Sequence, residues 1–166
     1  MTFSKTSVKY LIKNWHPDKT LQNGFVDKIK EKADSLLMTA FEFGDLKTVK
    51  SSVKRNFSDR VYKNGNKYLR AWSDVEKQMG SDEFRKYVTN EKYSVNGIYY
   101  HPLKLSLNPR NVEKKLDARP ESKKKIAAYI TYVIEHQLFD IFMCIDKQMM
   151  SNPKRKVQIK DYQDCV

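Results

Sequence analysis

The sequence IAAYITYVIEHQLFDIFMCID, residues 126–146, is the most apolar stretch of this 166-residue chain. Its uncharged apolar run, Ile126–Ile134, is nine residues long, whereas a helix that spans a membrane needs about 20 apolar residues. Polar residues such as Glu135 and His136 then interrupt the pattern. The stretch therefore predicts the core of a long final helix over residues 120–150, around which other helices pack, or an oligomer interface between copies of the chain.

Composition agrees with a folded, mainly helical protein. Hydrophobic residues make up 40% of the chain and aromatic residues 12%, which is enough to build the core of one domain. Five Gly and five Pro are few for an all-β protein, which needs many tight turns. We therefore expect a compact domain made mainly of α-helices.

The periodicity of apolar residues outlines these helices. Apolar residues from Val8 to Trp15 recur at the spacing of one helical face, and that helix has to end before Pro17. Similar patterns predict a second helix over residues 25–43, a strongly basic third helix over residues 46–57, and further helices over residues 68–79, 81–88 and 108–116.

One short segment has the pattern of strands instead. Tyr93 and Ile98 lie on either side of Asn96-Gly97, the dipeptide that best tolerates the positive φ angles of a two-residue hairpin turn. We expect one small β-hairpin near residues 92–103. The predicted organisation is a helix pair at residues 1–45 and a basic helical region at residues 46–166, either as two units or as one continuous domain.

The chain is strongly basic, with 32 Lys and Arg against 20 Asp and Glu and a formal net charge of +12. Beyond residue 46 the cations concentrate in residues 46–70, 104–125 and 154–160. Such clusters fit the phosphate groups of a nucleic acid, although a well-solvated surface of a lysine-rich protein has the same composition. The candidate nucleic-acid contacts are Lys47, Lys50, Lys54, Arg55, Arg60, Lys63, Lys67, Arg70, Lys123, Lys124 and Lys125, with Tyr99 and Tyr100 for stacking on bases.

The most specific local motif is His16-Pro17-Asp18. It follows a helix that carries a stripe of lysines, and it precedes a polar turn and a second helix. Residues 8–19, VKYLIKNWHPDK, resemble the second helix and the HPD motif of the J-domain family of Hsp70 co-chaperones. Farther on, residues 37–45 are similar to part of the third helix of that family.

This resemblance implies a partner and a set of contacts. In the family, the HPD loop and the basic face of the preceding helix bind an acidic region of Hsp70 and stimulate its ATPase. An acidic protein partner also fits the charges alone, because a cationic stripe steers such a partner towards the helix. By resemblance, the residues that contact the partner are His16, Pro17, Asp18, Lys9, Lys13 and Lys19.

The resemblance covers only residues 5–45. J domains begin with a first helix that packs against the next two, and the residues before Lys5 leave no room for it. A later segment has to supply that packing if the likeness extends to function. Otherwise the motif is a capped helix end, in which Pro17 stops the first helix.

Three functions are open at this point. The first is a small J-like adaptor for an Hsp70-type chaperone, and the second is a DNA- or RNA-binding protein, for example from a virus, phage or mobile element, in which the HPD sequence is only structural. A metal-free nuclease is the third, since acid–base chemistry on RNA needs no local motif. No HExxH, CxxC, GxSxG or phosphate-loop pattern is present, so no catalytic residue, metal or cofactor is predicted.

The cysteines and the first residues bear on the compartment. Cys144 lies in the apolar stretch and Cys165 next to the last residue, and the pair makes neither a disulfide framework nor a zinc-ligand set. The first residues contain no run of signal-peptide length. We therefore expect no membrane partner and a reducing, cytoplasmic location, or the nucleus in a eukaryotic host.

Overall fold

The computed structural model describes residues 3–60, 62–64, 67–69, 71–77, 93–95, 98–100, 105–116 and 120–166. Within these ranges the fold is mainly helical, which confirms that prediction. The predicted helix over residues 81–88 lies outside the described residues. The helices are α1 (Lys5–Trp15), α2 (Phe25–Ala40), α3 (Leu46–Asn56), α4 (Trp72–Lys77), α5 (Arg110–Glu113), α6 (Pro120–Gln148) and α7 (Ile159–Gln163).

Two short pairs of antiparallel strands occur in the described part of the chain. Strand β1 (Tyr62–Asn64) pairs with β2 (Lys67–Leu69), and β3 (Tyr93–Val95) pairs with β4 (Ile98–Tyr100). The second pair falls inside residues 92–103, for which a hairpin is predicted. The rest of that segment lies outside the described residues.

The first strand pair corrects the prediction of a helix over residues 68–79. The chain is extended at Lys67–Leu69, and within the described residues helix α4 covers Trp72–Lys77. Asn64-Gly65 has the same composition as the turn of the predicted hairpin, and tyrosines on both sides of it favour strands. The strand signal was therefore present in the sequence, but the helical spacing of the following apolar residues concealed it.

Helices α1 and α3 each begin at a side chain that caps them. Ser4 Oγ accepts a hydrogen bond from the backbone N–H of Ser7 at 3.2 Å, which caps α1. Asp45 Oδ1 accepts one from the backbone N–H of Thr48 at 2.9 Å, which caps α3. The hydrogen bonds from Thr48 lower the pKa of the Asp45 carboxyl group, because they stabilise its ionised form.

Helices α2 and α5 are shorter than predicted. Helix α2 ends at Ala40 because Phe41 is extended, with φ −119° and ψ 138°. The Phe41 ring then packs against Phe57, with 5.2 Å between the ring centroids. Helix α5 covers four residues of the predicted 108–116, and the chain continues from it into a turn.

Helix α6 is the centre of the fold. Every residue from 126 to 136 is buried, and helices α2, α3, α4, α5 and α7 pack against it. The predicted core helix over residues 120–150 is thereby confirmed, with its end at Gln148. Helices of the same chain cover most of the apolar surface of this segment, and an oligomer interface over residues 126–150 stays a prediction.

The two predicted regions share one hydrophobic core. Phe25 and Leu37 from the first region are fully buried together with Val53 and Phe142 from the second. A parallel β-bridge also joins Leu21 to Val157. None of the described helices is long and apolar enough to cross a membrane.

Candidate functional site

The His16-Pro17-Asp18 turn, called the HPD turn below, is exposed where helix α1 ends. His16 is extended, with φ −156° and ψ 109°, as expected for a residue before proline. Its backbone N–H donates to the carbonyl oxygen of Ile12 at 2.9 Å, and its Nδ1 accepts from the backbone N–H of Asp18 at 3.3 Å. The imidazole and the carboxylate are therefore presented to solvent by a turn with its own hydrogen bonds.

Trp15, immediately before the turn, fixes it to helix α6. The indole ring is almost fully buried and stacks on Phe142, with 4.4 Å between ring centroids and 6° between ring planes. Its Nε1–H donates a hydrogen bond to Asp146 Oδ2 at 3.0 Å. The end of α1 is thus held by both an apolar and a polar contact to the long helix.

Lys19, immediately after the turn, is held by the same group of residues. Its Nζ lies 3.4 Å from Asp146 Oδ1 and 5.1 Å from the centroid of the Trp15 ring. Only 6% of the Lys19 side chain is exposed. The resemblance implied that Lys19 contacts a partner, but the structure instead uses its charge inside the chain, where it fixes the loop that follows the turn.

The solvent face of α1 carries the remaining predicted contacts. Lys9 and Lys13 are exposed, and neither takes part in an ion pair within the described residues. Lys5, which lies four residues before Lys9 on α1, forms an ion pair with Asp27 at 3.2 Å. Tyr10 lies between the two unpaired lysines in sequence and is 58% exposed. The structure therefore places two available cations and an aromatic ring on the helix that leads to the HPD turn.

A second support comes from the C-terminal residues. The backbone N–H of Val157 donates to Thr20 O, and that of Gln22 donates to Val157 O, both at 2.8 Å. Gln22 Oε1 accepts a further hydrogen bond from the backbone N–H of Ile159, also at 2.8 Å. The loop that follows the HPD turn is therefore paired with a segment more than a hundred residues away in sequence, which no local motif predicted.

Cys144 and Cys165 are joined by a disulfide, with 5.9 Å between their Cα atoms. The number and spacing of the cysteines predict no disulfide framework, whereas the fold joins the two in a single disulfide. Stable disulfides are typical of oxidising compartments, so the bond gives no support to the predicted reducing location. The disulfide could not be predicted from the sequence, because it is the fold and not the spacing that brings Cys165 to the end of α6.

Three of the predicted nucleic-acid contacts on α3 and after it form ion pairs within the chain. Lys50 pairs with Glu76 at 3.2 Å, Arg55 with Glu42 at 2.8 Å, and Arg60 with Asp140 at 3.2 Å. Two others, Lys47 and Lys54, are exposed on α3, and no ion pair of theirs occurs within the described ranges. These two lysines and Lys50 share one face of α3, since they lie three and four residues apart.

The other predicted nucleic-acid residues are less fully described. Lys123 and Lys125 are half-buried near the start of α6, and Lys124 is exposed. Lys63 lies on β1, Lys67 on β2, and Tyr99 and Tyr100 on β4. The side chains of these four residues and the whole of Arg70 lie outside the described part of the chain.

A buried polar cluster, absent from the sequence predictions, lies behind α1. Glu135 Oε1 accepts hydrogen bonds from the backbone N–H groups of Ser106 at 2.5 Å and Leu107 at 2.6 Å. The Ser106 hydroxyl accepts a hydrogen bond from the Asn14 side chain on α1. The only sequence signal for this cluster was a carboxylate on the apolar face of the long helix.

The two ionisable residues of this region have displaced pKa values. Burial raises the pKa of Glu135 to about 8, although the two backbone hydrogen bonds oppose the change. Burial lowers the pKa of His136 to about 4. Within the described residues, no three His, Cys, Asp or Glu side chains are grouped as a metal site. Glu135 and His136 are thus neutral groups of the core near pH 6.

A comparison with models of known protein families finds no match to this chain, and a comparison with curated proteins finds none either.

Proposed function

We propose that this protein is a small basic adaptor that binds an acidic protein partner of the Hsp70 type through the HPD turn and the solvent face of α1. The observation that carries the proposal is the exposed HPD turn, held between two residues that anchor it. Trp15 and Lys19 both contact Asp146, one on each side of the turn. A turn fixed in this way loses little conformational freedom when it binds, which favours affinity.

The charges of α1 support an acidic partner. Lys9 and Lys13 lie two turns and one turn, respectively, before the HPD turn on an exposed face, and they are free of intramolecular ion pairs in the described part of the chain. Unpaired cations around a recognition site raise the rate at which an acidic surface finds it. The exposed Tyr10 between them adds an aromatic contact of the kind that is frequent at interfaces.

The packing of α6 supports the likeness to J domains. In that family, a first helix packs against the next two. Here α6 packs against α2, and it contacts α1 through the stack of Phe142 on Trp15. A later segment therefore covers both helices of the pair, as the proposal requires.

The proposal is tested by the ATPase activity of an Hsp70-type chaperone. The unmodified protein is expected to stimulate ATP hydrolysis, and His16→Gln is expected to reduce the stimulation to the basal rate, because the exposed imidazole is a direct contact. The imidazole makes only the local contact with the Asp18 N–H among the described residues, so the variant should unfold at the same urea concentration as the parent.

A suitable control is Ser35→Ala, which changes an exposed residue of α2 away from the HPD sequence. It should stimulate as well as the parent. Absence of stimulation by the unmodified protein, or full stimulation by His16→Gln, contradicts the proposal.

The cationic face gives a second prediction. The double variant Lys9→Ala/Lys13→Ala is expected to weaken binding to the chaperone by about two- to thirtyfold, mainly through a slower association rate at low salt. Surface plasmon resonance at two salt concentrations separates the two rate constants. The matched control is Lys47→Ala/Lys54→Ala, which removes the same charge from α3 and should bind normally.

The same pair of variants addresses the competing function. Lys47 and Lys54 are the exposed, unpaired cations on α3 in the described residues, whereas Lys50 and Arg55 on this helix are ion-paired. If the protein instead binds nucleic acid, a gel shift with RNA, single-stranded DNA and duplex DNA will show salt-dependent binding, which Lys47→Ala/Lys54→Ala weakens more than Lys9→Ala/Lys13→Ala. Equal loss of chaperone binding in both variants would contradict a specific site on α1. Cleavage in the same reactions would indicate the nuclease.

A further inference from the structure

We propose that the disulfide between Cys144 and Cys165 is a reversible redox site that controls the loop after the HPD turn. Residues 149–165, called the C-terminal strap below, leave the end of α6, pass over this loop and return to α6 at the disulfide. The structural part of the inference stands on these contacts alone. Its consequence for partner binding rests on the proposed function.

The strap and the loop are joined by backbone contacts. Val157 is fully buried and pairs with Thr20 and Gln22 through two hydrogen bonds of 2.8 Å. The side chain of Ile159 lies over Gly24, which has φ +90° and begins α2, so that a Cβ at Gly24 would lie 3.3 Å from Ile159 Cδ1. The strap thus covers the loop from its first residues to the start of α2.

The disulfide closes the strap at its far end. The two cysteines are 21 residues apart, and the cross-link restricts the chain between them. Cys144 also lies two residues before Asp146, the carboxylate that holds Trp15 and Lys19. Loss of the cross-link therefore frees the strap next to the residue that anchors the HPD turn.

Other contacts keep the strap folded by itself. Arg155 and Asp161 form a bidentate pair, with nitrogen–oxygen distances of 2.9 and 2.7 Å. Asp161 Oδ2 also accepts from the backbone N–H of Gln158 at 2.8 Å. These contacts lie within the strap, so they survive when it leaves the loop. Reduction is therefore expected to increase opening of the strap as a unit without unfolding the core.

The redox step is an exchange with a dithiol. One thiolate of the dithiol attacks a sulfur of the disulfide, and the other cysteine leaves as a thiolate. The second thiol of the reductant then attacks the mixed disulfide and releases the remaining cysteine of the protein. Cys144 and Cys165 end as two thiols, having gained two electrons and two protons, and the dithiol ends as a disulfide. Both cysteines are partly exposed, which gives a small reductant access.

The test is hydrogen exchange measured by mass spectrometry on the full chain, first oxidised and then reduced with dithiothreitol. The amides of Gln22 and Val157 are expected to exchange about tenfold faster or more after reduction, because strap opening breaks both of their hydrogen bonds. Val53, whose amide lies inside α3, should exchange at the same rate in both states. The variant Cys144→Ser/Cys165→Ser should match the reduced parent without any reductant.

Two outcomes would overturn the structural part. One is full alkylation of both cysteines in protein prepared under air, which would mean that the disulfide does not form. The other is equal exchange at Gln22 and Val157 in the oxidised and reduced chains.

Chaperone binding is measured on the same two states. We expect the reduced chain and the serine variant to bind about threefold or more weakly than the oxidised chain, because the HPD turn is less well fixed. Equal binding combined with faster exchange would overturn the link between the redox site and the partner. Absence of binding in both states would contradict the proposed function, while the exchange result would still decide whether the disulfide controls the loop.

Discussion

Replacing Trp15 by alanine is expected to lower the free energy of unfolding by about 3–5 kcal/mol, which is a large part of the stability of a domain of this size. The substitution removes a buried ring that stacks on Phe142 at 4.4 Å and leaves a cavity between α1 and α6. It also removes the hydrogen bond to Asp146 and leaves Lys19 without its aromatic contact. Urea unfolding followed by circular dichroism measures the effect.

The control for this prediction is Trp15→Phe. Phenylalanine keeps most of the stacking surface but has no N–H to donate to Asp146, so a loss of about 1–2 kcal/mol is expected. A loss below about 1 kcal/mol for Trp15→Ala would mean that the contact between Trp15 and Phe142 contributes little to the free energy of unfolding. Under the proposed function, stimulation of the chaperone should also fall in Trp15→Ala at temperatures where the variant is still folded, because the HPD turn has lost its anchor.

The stability of the unmodified chain is expected to fall by about 2 kcal/mol between pH 6.5 and pH 8 because of Glu135. Burial raises the pKa of Glu135 from 4.5 to about 8 in the folded state, so the folded chain holds a proton that the unfolded chain has lost. This contribution to stability is complete below pH 4.5 and is lost as the pH rises through 8.

His136 acts in the opposite direction at lower pH. Burial lowers its folded-state pKa from 6.5 to about 4, so its contribution to stability is complete above pH 6.5 and is lost as the pH falls through 4. Between pH 4.5 and 6.5 the slopes from Glu135 and His136 therefore largely cancel. Above pH 6.5 the contribution of His136 is constant, so only the loss of stability from Glu135 remains.

The variant Glu135→Gln isolates the carboxyl group. Glutamine is nearly the same shape, and its Oε1 can still accept the hydrogen bonds from Ser106 and Leu107. The variant should match the parent near pH 6 within about 1 kcal/mol and be about 2 kcal/mol more stable at pH 8. Urea titrations at a series of pH values give both curves. Parallel curves from pH 6 to pH 8 would mean that Glu135 does not titrate in this range.

Local patterns in the sequence were enough to predict α1 and α6. The face from Val8 to Trp15 and the apolar stretch at residues 126–146 each contain several turns of one periodicity, so neighbouring residues determine the element. The strand pair at residues 62–69 was missed because three-residue strands are too short for a period to stand out. Its only strong mark was the dipeptide Asn64-Gly65.

The candidate site could be predicted only in part. The exposure of His16 and Lys13 follows from the helix period, since the buried face of α1 is clear in the sequence. Lys19 looks like one more free cation beside the motif, and its burial depends on Asp146, which is 127 residues away. The disulfide depends likewise on the path of the C-terminal residues. Periodicity describes the faces of a helix, but it does not say which distant helix covers them.

The bridge between Leu21 and Val157 affects the order in which the protein folds during its synthesis. Helices α1 and α2 leave the ribosome before α6 and contact each other through residues close in sequence, such as Trp15 and Phe25. The partners of the intervening loop are synthesised more than 120 residues later. A nascent chain therefore displays the HPD sequence well before the residues that support it are made. Under the proposed function, an unfinished or truncated chain would bind the partner more weakly than the finished one.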